Sequence, residues 1–146
     1  MNTDLIDIKI RAVEGGVTAA AGFKAAGIHA GFRKNPERLD YALVVPDRPC
    51  PGAGVFTTNR FCAAPVQVSR ANLGGADKGY GIIAGVSINS GNANAATGET
   101  GLACARETCS IASQVIGCEP QQILVASTGV IGQILPIDTF ETAIPA

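Results

Sequence analysis

Between residues 99 and 116 the apolar side chains Leu102, Ala105, Cys109, Ala112 and Ile116 recur at alternating spacings of three and four. That period places them on one stripe of an α-helix, which needs a hydrophobic surface to lie on. Thr97 is placed to cap the helix start, Glu99 suits its positive end, Gly117 suits its stop, and Pro120 prevents continuation. Short apolar runs flank it and supply that surface. Ile82 to Ile88 reads as one strand, Ile123 to Ala126 as another, and Tyr41 to Val45 as a buried strand ended by Pro46. Gly54 to Thr58 is a further strand candidate. Gly15 to Phe32 reads as a β-hairpin or a pair of short strands. Val66 to Leu73 alternates like a strand, although Pro65 is suited to open a helix. Asp138 with Glu141 resembles a capping box and predicts a short C-terminal helix. The pattern is that of an α/β protein, and 146 residues fit a single domain spanning 1–146.

Composition narrows the function. Twelve acidic side chains against eleven basic ones give a net charge of −1, which offers no electrostatic reason for a nucleic-acid or anionic-membrane partner. Aromatic residues are 5% of the chain and tryptophan is absent, so stacking platforms are not its main tool. Asp4 and Asp7 interrupt any signal-peptide core, and the longest apolar stretch, Gly81 to Ile88, is far short of a membrane span. Five cysteines without CxxC spacing, beside a single histidine, His29, suit neither a disulfide framework nor a zinc site. They fit small apolar side chains in a reducing cytoplasm.

Four constellations carry possible chemistry. Gly79-Tyr80-Gly81 with Gly85 has some of the glycines of a dinucleotide fingerprint, but they precede a strand instead of following one. The loop Asn89 to Gly98 is rich in Asn and Gly, which suits either a turn or the rim of a pocket at a strand's carboxyl end. Ser127-Thr128-Gly129 follows a strand, and a hydroxyl beside a glycine amide can aim two donors at one point, as an oxyanion site requires; the same tripeptide is common in turns. Ser127 or Thr128 as a nucleophile needs a base, and nothing places His29 nearby. Asp40, Asp47, Glu99 and Glu107 are available for paired-carboxylate chemistry, but no spacing singles out a pair.

Four runs together resemble the ornithine acetyltransferase family of arginine biosynthesis, also called bifunctional glutamate N-acetyltransferases. They are GGVTAAAGFKAAGIHAG (Gly15 to Gly31), GVFTTNRFCAAPVQVSR (Gly54 to Arg70), INSGNANAATG (Ile88 to Gly98) and LVASTGVIGQILPID (Leu124 to Asp138). The resemblance implies a layered α/β sandwich of the self-processing aminopeptidase type, in which a precursor cleaves itself before a threonine of an Ala-Thr step. That threonine, at the start of the β chain, takes the acetyl group from N-acetylornithine, in some members also from acetyl-coenzyme A, and passes it to glutamate. No cofactor or metal is implied. Thr128 and Gly129 match the pair that stabilises the oxyanion. Ala96 stands where a cysteine is common, a position expected to suit any small buried residue.

The processing site of the family lies beyond the Leu135 to Asp138 segment, and no Ala-Thr step here has the expected context. The chain therefore reads as the front of an α chain, incomplete at its C-terminus, paired with a β chain in a hetero-oligomer and inactive alone. Two other readings stay open, a related aminopeptidase-type hydrolase and a non-catalytic amino-acid-binding remnant.

Overall fold

The computed structural model describes residues 11–75 and 77–145; Asp4 and Asp7 lie outside the described residues. Four strands form the main sheet: β1 (Phe23–Ile28), β2 (Tyr41–Pro46), β5 (Gly85–Asn92) and β6 (Ile123–Val130). Their order is β1-β2-β5-β6. The first two pairings are antiparallel and the last is parallel. A parallel pair needs a crossover, and α2 (Gly98–Ile116) supplies it. A separate antiparallel ribbon joins β3 (Cys50–Ala53) to β4 (Tyr80–Ile83). Helices α1 (Ala64–Asn72) and α3 (Ile137–Ala143) complete the described elements, with short 3-10 turns at Gly16–Ala19 and Pro120–Gln122.

Alternation along the strands separates two faces. Tyr41, Ile123 and Val125 point to the helices and bury with Val68 of α1, Ala105, Cys109 and Ala112 of α2, and Phe140 of α3. Phe140 sits at the centre of this layer, with ring centroids 4.7 Å from Phe32 and 5.7 Å from Tyr41. Polar groups on this face are paired: the Tyr41 hydroxyl lies 3.1 Å from Ser87 Oγ. The opposite face carries Ala42, Val44, Val86, Ile88 and Leu124, all only half-buried, and no described helix covers it.

The helical stripe is as read from the sequence. Ala105, Cys109 and Ala112 are buried, Leu102 and Ile116 pack at the margin, and Gly117 ends α2 in a left-handed conformation. Thr97 stands at the N-cap, but its hydroxyl donates to Asn94 Oδ1 (2.8 Å) and not to the helix. Pro65 does open α1.

Other elements depart from expectation. Gly15 to Phe32 holds one strand, whose partner is β2 across a long loop, because β1 finds its register against Tyr41 to Pro46. Gly54 to Thr58 is not a strand. At its end and just past it, Thr57 Oγ1 accepts from Asn59 N–H (3.1 Å) and Asn59 Oδ1 accepts from Phe61 N–H (2.9 Å), so the chain turns on side-chain bonds where a strand would have to continue. The strand lies just before it, at Cys50–Ala53, despite Pro51. Ile82 to Ile88 is two strands. Ala84 marks the switch between them, its N–H bonded to Gln122 O (2.8 Å), as the chain passes from the ribbon to the main sheet. The loop expected from Asn89 starts only after Asn92, since β5 keeps pairing with β6 to Val130. Asp138 lies in the first turn of α3; the N-cap is Pro136, and no side chain caps the helix.

Candidate functional site

The carboxyl ends of β5 and β6 lie side by side, with Ser90 opposite Thr128 and Gly91 opposite Gly129. Two backbone bonds fix the phase of this ladder. Ala84 N–H donates to Gln122 O (2.8 Å) and Ala93 N–H to Val130 O (2.9 Å). In a parallel pair this phase turns the even-numbered residues of β6 toward β5 and the odd-numbered ones outward. Since β6 is the last strand in the order, outward means the sheet edge.

That edge is closed for half its length. Ser69 Oγ accepts from Val125 N–H (2.9 Å) and donates to Val125 O (2.8 Å), while Asn72 Nδ2 donates to Ile123 O (2.7 Å). Both side chains come from α1, which ends its contact there. Beyond it, Gly129 N–H points off the edge with no acceptor among the described residues. Thr128 is exposed and its hydroxyl makes no hydrogen bond to a described residue. Ser127 is half-buried, likewise with no partner for its hydroxyl. Among the described residues, the edge of β6 is left bare at these three positions.

A side chain at Gly129 would force the strands apart. The φ of Gly129 is +137°, and a Cβ there would fall on the Gly91 carbonyl and stand 2.6 Å from the Asn92 nitrogen. Gly91, at φ +122°, is equally confined, a Cβ meeting Phe32 O at 2.7 Å.

A chain of buried asparagines holds the ends in place. Asn89 Nδ2 donates to Asn92 O (2.8 Å). Asn92 Nδ2 donates to the carbonyls of Gln133 (3.2 Å) and Ile134 (3.1 Å), folding back the segment after β6. Asn92 Oδ1 accepts from Asn94 N–H (2.8 Å), and Asn94 Nδ2 donates to Gly101 O (2.8 Å). The Asn-rich run is thus a scaffold behind the strand ends. Ala96 in this loop has φ +57° and is exposed, not buried as expected.

The remaining candidates are not brought together. His29 Nδ1 lies 3.1 Å from Arg38 O and 3.3 Å from Asp40 Oδ2, with no contact to Thr128. Asp40 is buried and accepts from Ala30 N–H (2.6 Å) and Arg33 N–H (2.7 Å). Asp47 pairs with Lys24 at 3.5 Å, and Glu99 and Glu107 are exposed on α2. The cysteines are free, and the described residues contain no cluster of three or more His, Cys, Asp or Glu suited to a metal. Burial pushes the Cys109 thiol up to about 11, which makes it a poor nucleophile. No described helix is long and apolar enough to cross a membrane. Arg33 was not singled out from the sequence. Its Nε (3.1 Å) and Nη2 (2.6 Å) both donate to Ser90 Oγ, beside Thr128, and only the tertiary fold spans those 57 positions.

The architecture is that of an α/β sheet with helices on one face and an exposed hydroxyl–glycine pair at a strand end. The chain belongs to the ArgJ family, whose model matches residues 24–146. It is 46% identical over 126 residues to the arginine biosynthesis bifunctional protein ArgJ of Dehalococcoides mccartyi, a match covering 86% of this chain and 30% of that protein. It is 50% identical over 123 residues to the ArgJ protein of Bifidobacterium longum, covering 84% and 30%. Among solved structures, ornithine acetyltransferase from Mycobacterium tuberculosis, in complex with ornithine, superposes with a TM-score of 0.81 at 38% identity, covering 89% of this chain and 67% of that one. ArgJ from Bacillus halodurans gives 0.80 at 35% identity, covering 90% and 65%. The chain thus spans about 30% of the length of the curated relatives it matches.

Proposed function

We propose that this chain contributes the oxyanion donors of an acetyltransferase that moves an acetyl group from N-acetylornithine to glutamate, with acetyl-coenzyme A as a further donor. The observation that carries the reading is the bare end of β6, where Thr128 and Gly129 are exposed and the hydroxyl and the N–H find no partner among the described residues. Ordinary sheet edges are covered, charged or paired. Here α1 closes the first half through Ser69 and Asn72 and leaves the second half open.

The attacking hydroxyl belongs to a threonine of a second chain from the same precursor. It adds to the acetyl carbonyl, whose oxygen becomes negative and accepts from Thr128 Oγ1–H and Gly129 N–H. Collapse expels the ornithine amine, which takes up a proton, and leaves an acetyl ester. The glutamate amine then attacks that ester through a second tetrahedral oxyanion held by the same donors. Each step needs a nucleophile, a proton acceptor and hydrogen-bond donors, so the reading assigns no cofactor.

Two observations support the second chain. This chain covers 65% and 67% of the crystallised chains but only 30% of the curated relatives, so those crystallised chains are about half as long as the relatives. Self-cleavage of a precursor produces such a length. No described helix covers the apolar sheet face of Val44, Val86, Ile88 and Leu124, and burying it is worth roughly 25 cal/mol per Å². Residues 1–146 then act as one domain within an assembly of α and β chains, inactive without the threonine. Five free thiols suit a cytoplasmic setting.

Thr128→Ala in the full-length protein tests the reading. Loss of one oxyanion donor lowers kcat about 10²- to 10³-fold with KM unchanged, because the oxyanion exists only near the transition state. An unchanged kcat refutes the assignment. Acetyl release to water instead of glutamate identifies a hydrolase.

A further inference from the structure

The loop joining β1 to β2 delivers an arginine to the same end of the sheet. Asp40, buried at the start of β2, accepts the backbone N–H groups of Ala30 and Arg33 and so fixes the loop. Ser90 N–H donates to Asp40 O (2.8 Å), tying the loop base to β5. From there the Arg33 side chain reaches Ser90 and places two N–H groups on its oxygen, at 3.1 and 2.6 Å. Ser90 and Thr128 are register partners on adjacent strands, which lie about 4.8 Å apart, so the serine that holds the guanidinium is the cross-strand neighbour of Thr128.

Among the described residues this cation has no anionic partner. The ion pairs among the described residues are Lys24–Asp47 and His29–Asp40. A neutral serine oxygen orients the guanidinium without neutralising it. Of five N–H donors, Ser90 uses two, and the remaining three form part of the fork that matches a carboxylate. Arg33 is also half-buried, where a charge is screened less than at an open surface.

We propose that Arg33, oriented by Ser90, is the anchor for the α-carboxylate of amino-acid substrates. The inference rests on reading Thr128 and Gly129 as oxyanion donors and adds the recognition of the substrate. In an Nα-acetylated amino acid the carboxylate lies within about 5 Å of the acetyl oxygen, by covalent dimensions alone. With the acetyl oxygen held at Thr128, the carboxylate can reach the neighbouring end of β5, where Ser90 holds Arg33. Donor and acceptor amino acids share this group, so one anchor serves both halves of the reaction.

The test compares ornithine with putrescine, which lacks the carboxylate, by calorimetric titration into the full-length protein. The wild type binds ornithine at least tenfold more tightly. Arg33→Met removes that preference, since a charge-assisted contact accounts for about a 10- to 100-fold difference in affinity. Arg33→Lys keeps part of it. Ser90→Ala, which frees the guanidinium but keeps its charge, lowers the preference several-fold and reports on the anchor even if Arg33→Met fails to fold. A preference unchanged in both variants, or absent from the wild type, overturns the proposal. So does Arg33→Met that lowers Tm yet keeps the preference, because the cation then pairs with an acidic group of the second chain. Thr128→Ala separates the two readings: it lowers kcat and leaves the ornithine preference intact, and an unchanged kcat defeats the oxyanion assignment alone.

Discussion

Gly129→Ala asks whether β5 and β6 really close on each other at the site. The added Cβ would overlap the Gly91 carbonyl and stand 2.6 Å from the Asn92 nitrogen, all backbone atoms that no rotamer change can move. The φ of +137° is itself unfavourable for alanine, at about 1–3 kcal/mol. Relief requires the strands to part beyond Gly91, which breaks ladder bonds worth about 1 kcal/mol each. A loss of ~3 kcal/mol or more follows. For a chain of 150–250 residues that lowers Tm by about 6–12 °C, and by less in a longer protein. Circular dichroism melts of the full-length variant measure it, with acetyl transfer assayed in parallel. A displacement of the Gly129 N–H by about 1 Å lowers kcat on the order of 100-fold. A variant with wild-type Tm and wild-type kcat refutes the apposition of Gly91 and Gly129, and with it the geometry from which the site is argued.

Other perturbations address the scaffold. Asn94→Ala leaves Gly101 O without its donor and removes an acceptor from Thr97, costing about 1–3 kcal/mol in a chemical melt; a smaller loss argues against the buried asparagine chain. Ser69→Ala exposes the Val125 N–H and carbonyl as unpaired buried groups, with a similar cost, and faster amide exchange at Val125 reports it directly. Burial pushes the Cys109 thiol from its ordinary 9.0 up to about 11, because it opposes the thiolate and the Asn72 contact only partly offsets this. The unfolded chain then releases a proton that the folded chain holds, so stability is full below pH 9 and falls as pH rises toward 11. Tyr41, whose pKa burial also raises, adds to the fall above pH 10. Cys109→Ala shows a shallower decline, and an identical pH profile would contradict the burial argument.

The helix α2 was legible in the sequence because its signal is local. A stripe at spacings of three and four and a glycine at the stop are all contained within about twenty residues, and the structure follows them. Strand runs such as Tyr41–Val45 were legible for the same reason. Strand ends were not. Whether Asn89 to Asn92 forms a loop or continues β5 depends on a partner 38 residues away, and Gly54 to Thr58 runs straight into a turn in which the Thr57 and Asn59 side chains accept the N–H groups of Asn59 and Phe61.

The hydroxyl–glycine pair at 128 and 129 was likewise visible as residue types, and its family resemblance gave it a role to test. What the residue types could not show is direction. The sequence determined that a glycine follows a threonine after an apolar run, because those are covalent facts. Only the tertiary structure decided that β6 is the edge strand, that the ladder phase turns Gly129 N–H outward, and that α1 stops short of it. It alone brought Arg33 to Ser90 across 57 positions. Hydrogen bonds across a sheet join residues by register and not by distance along the chain, so a pattern read along one dimension cannot contain them.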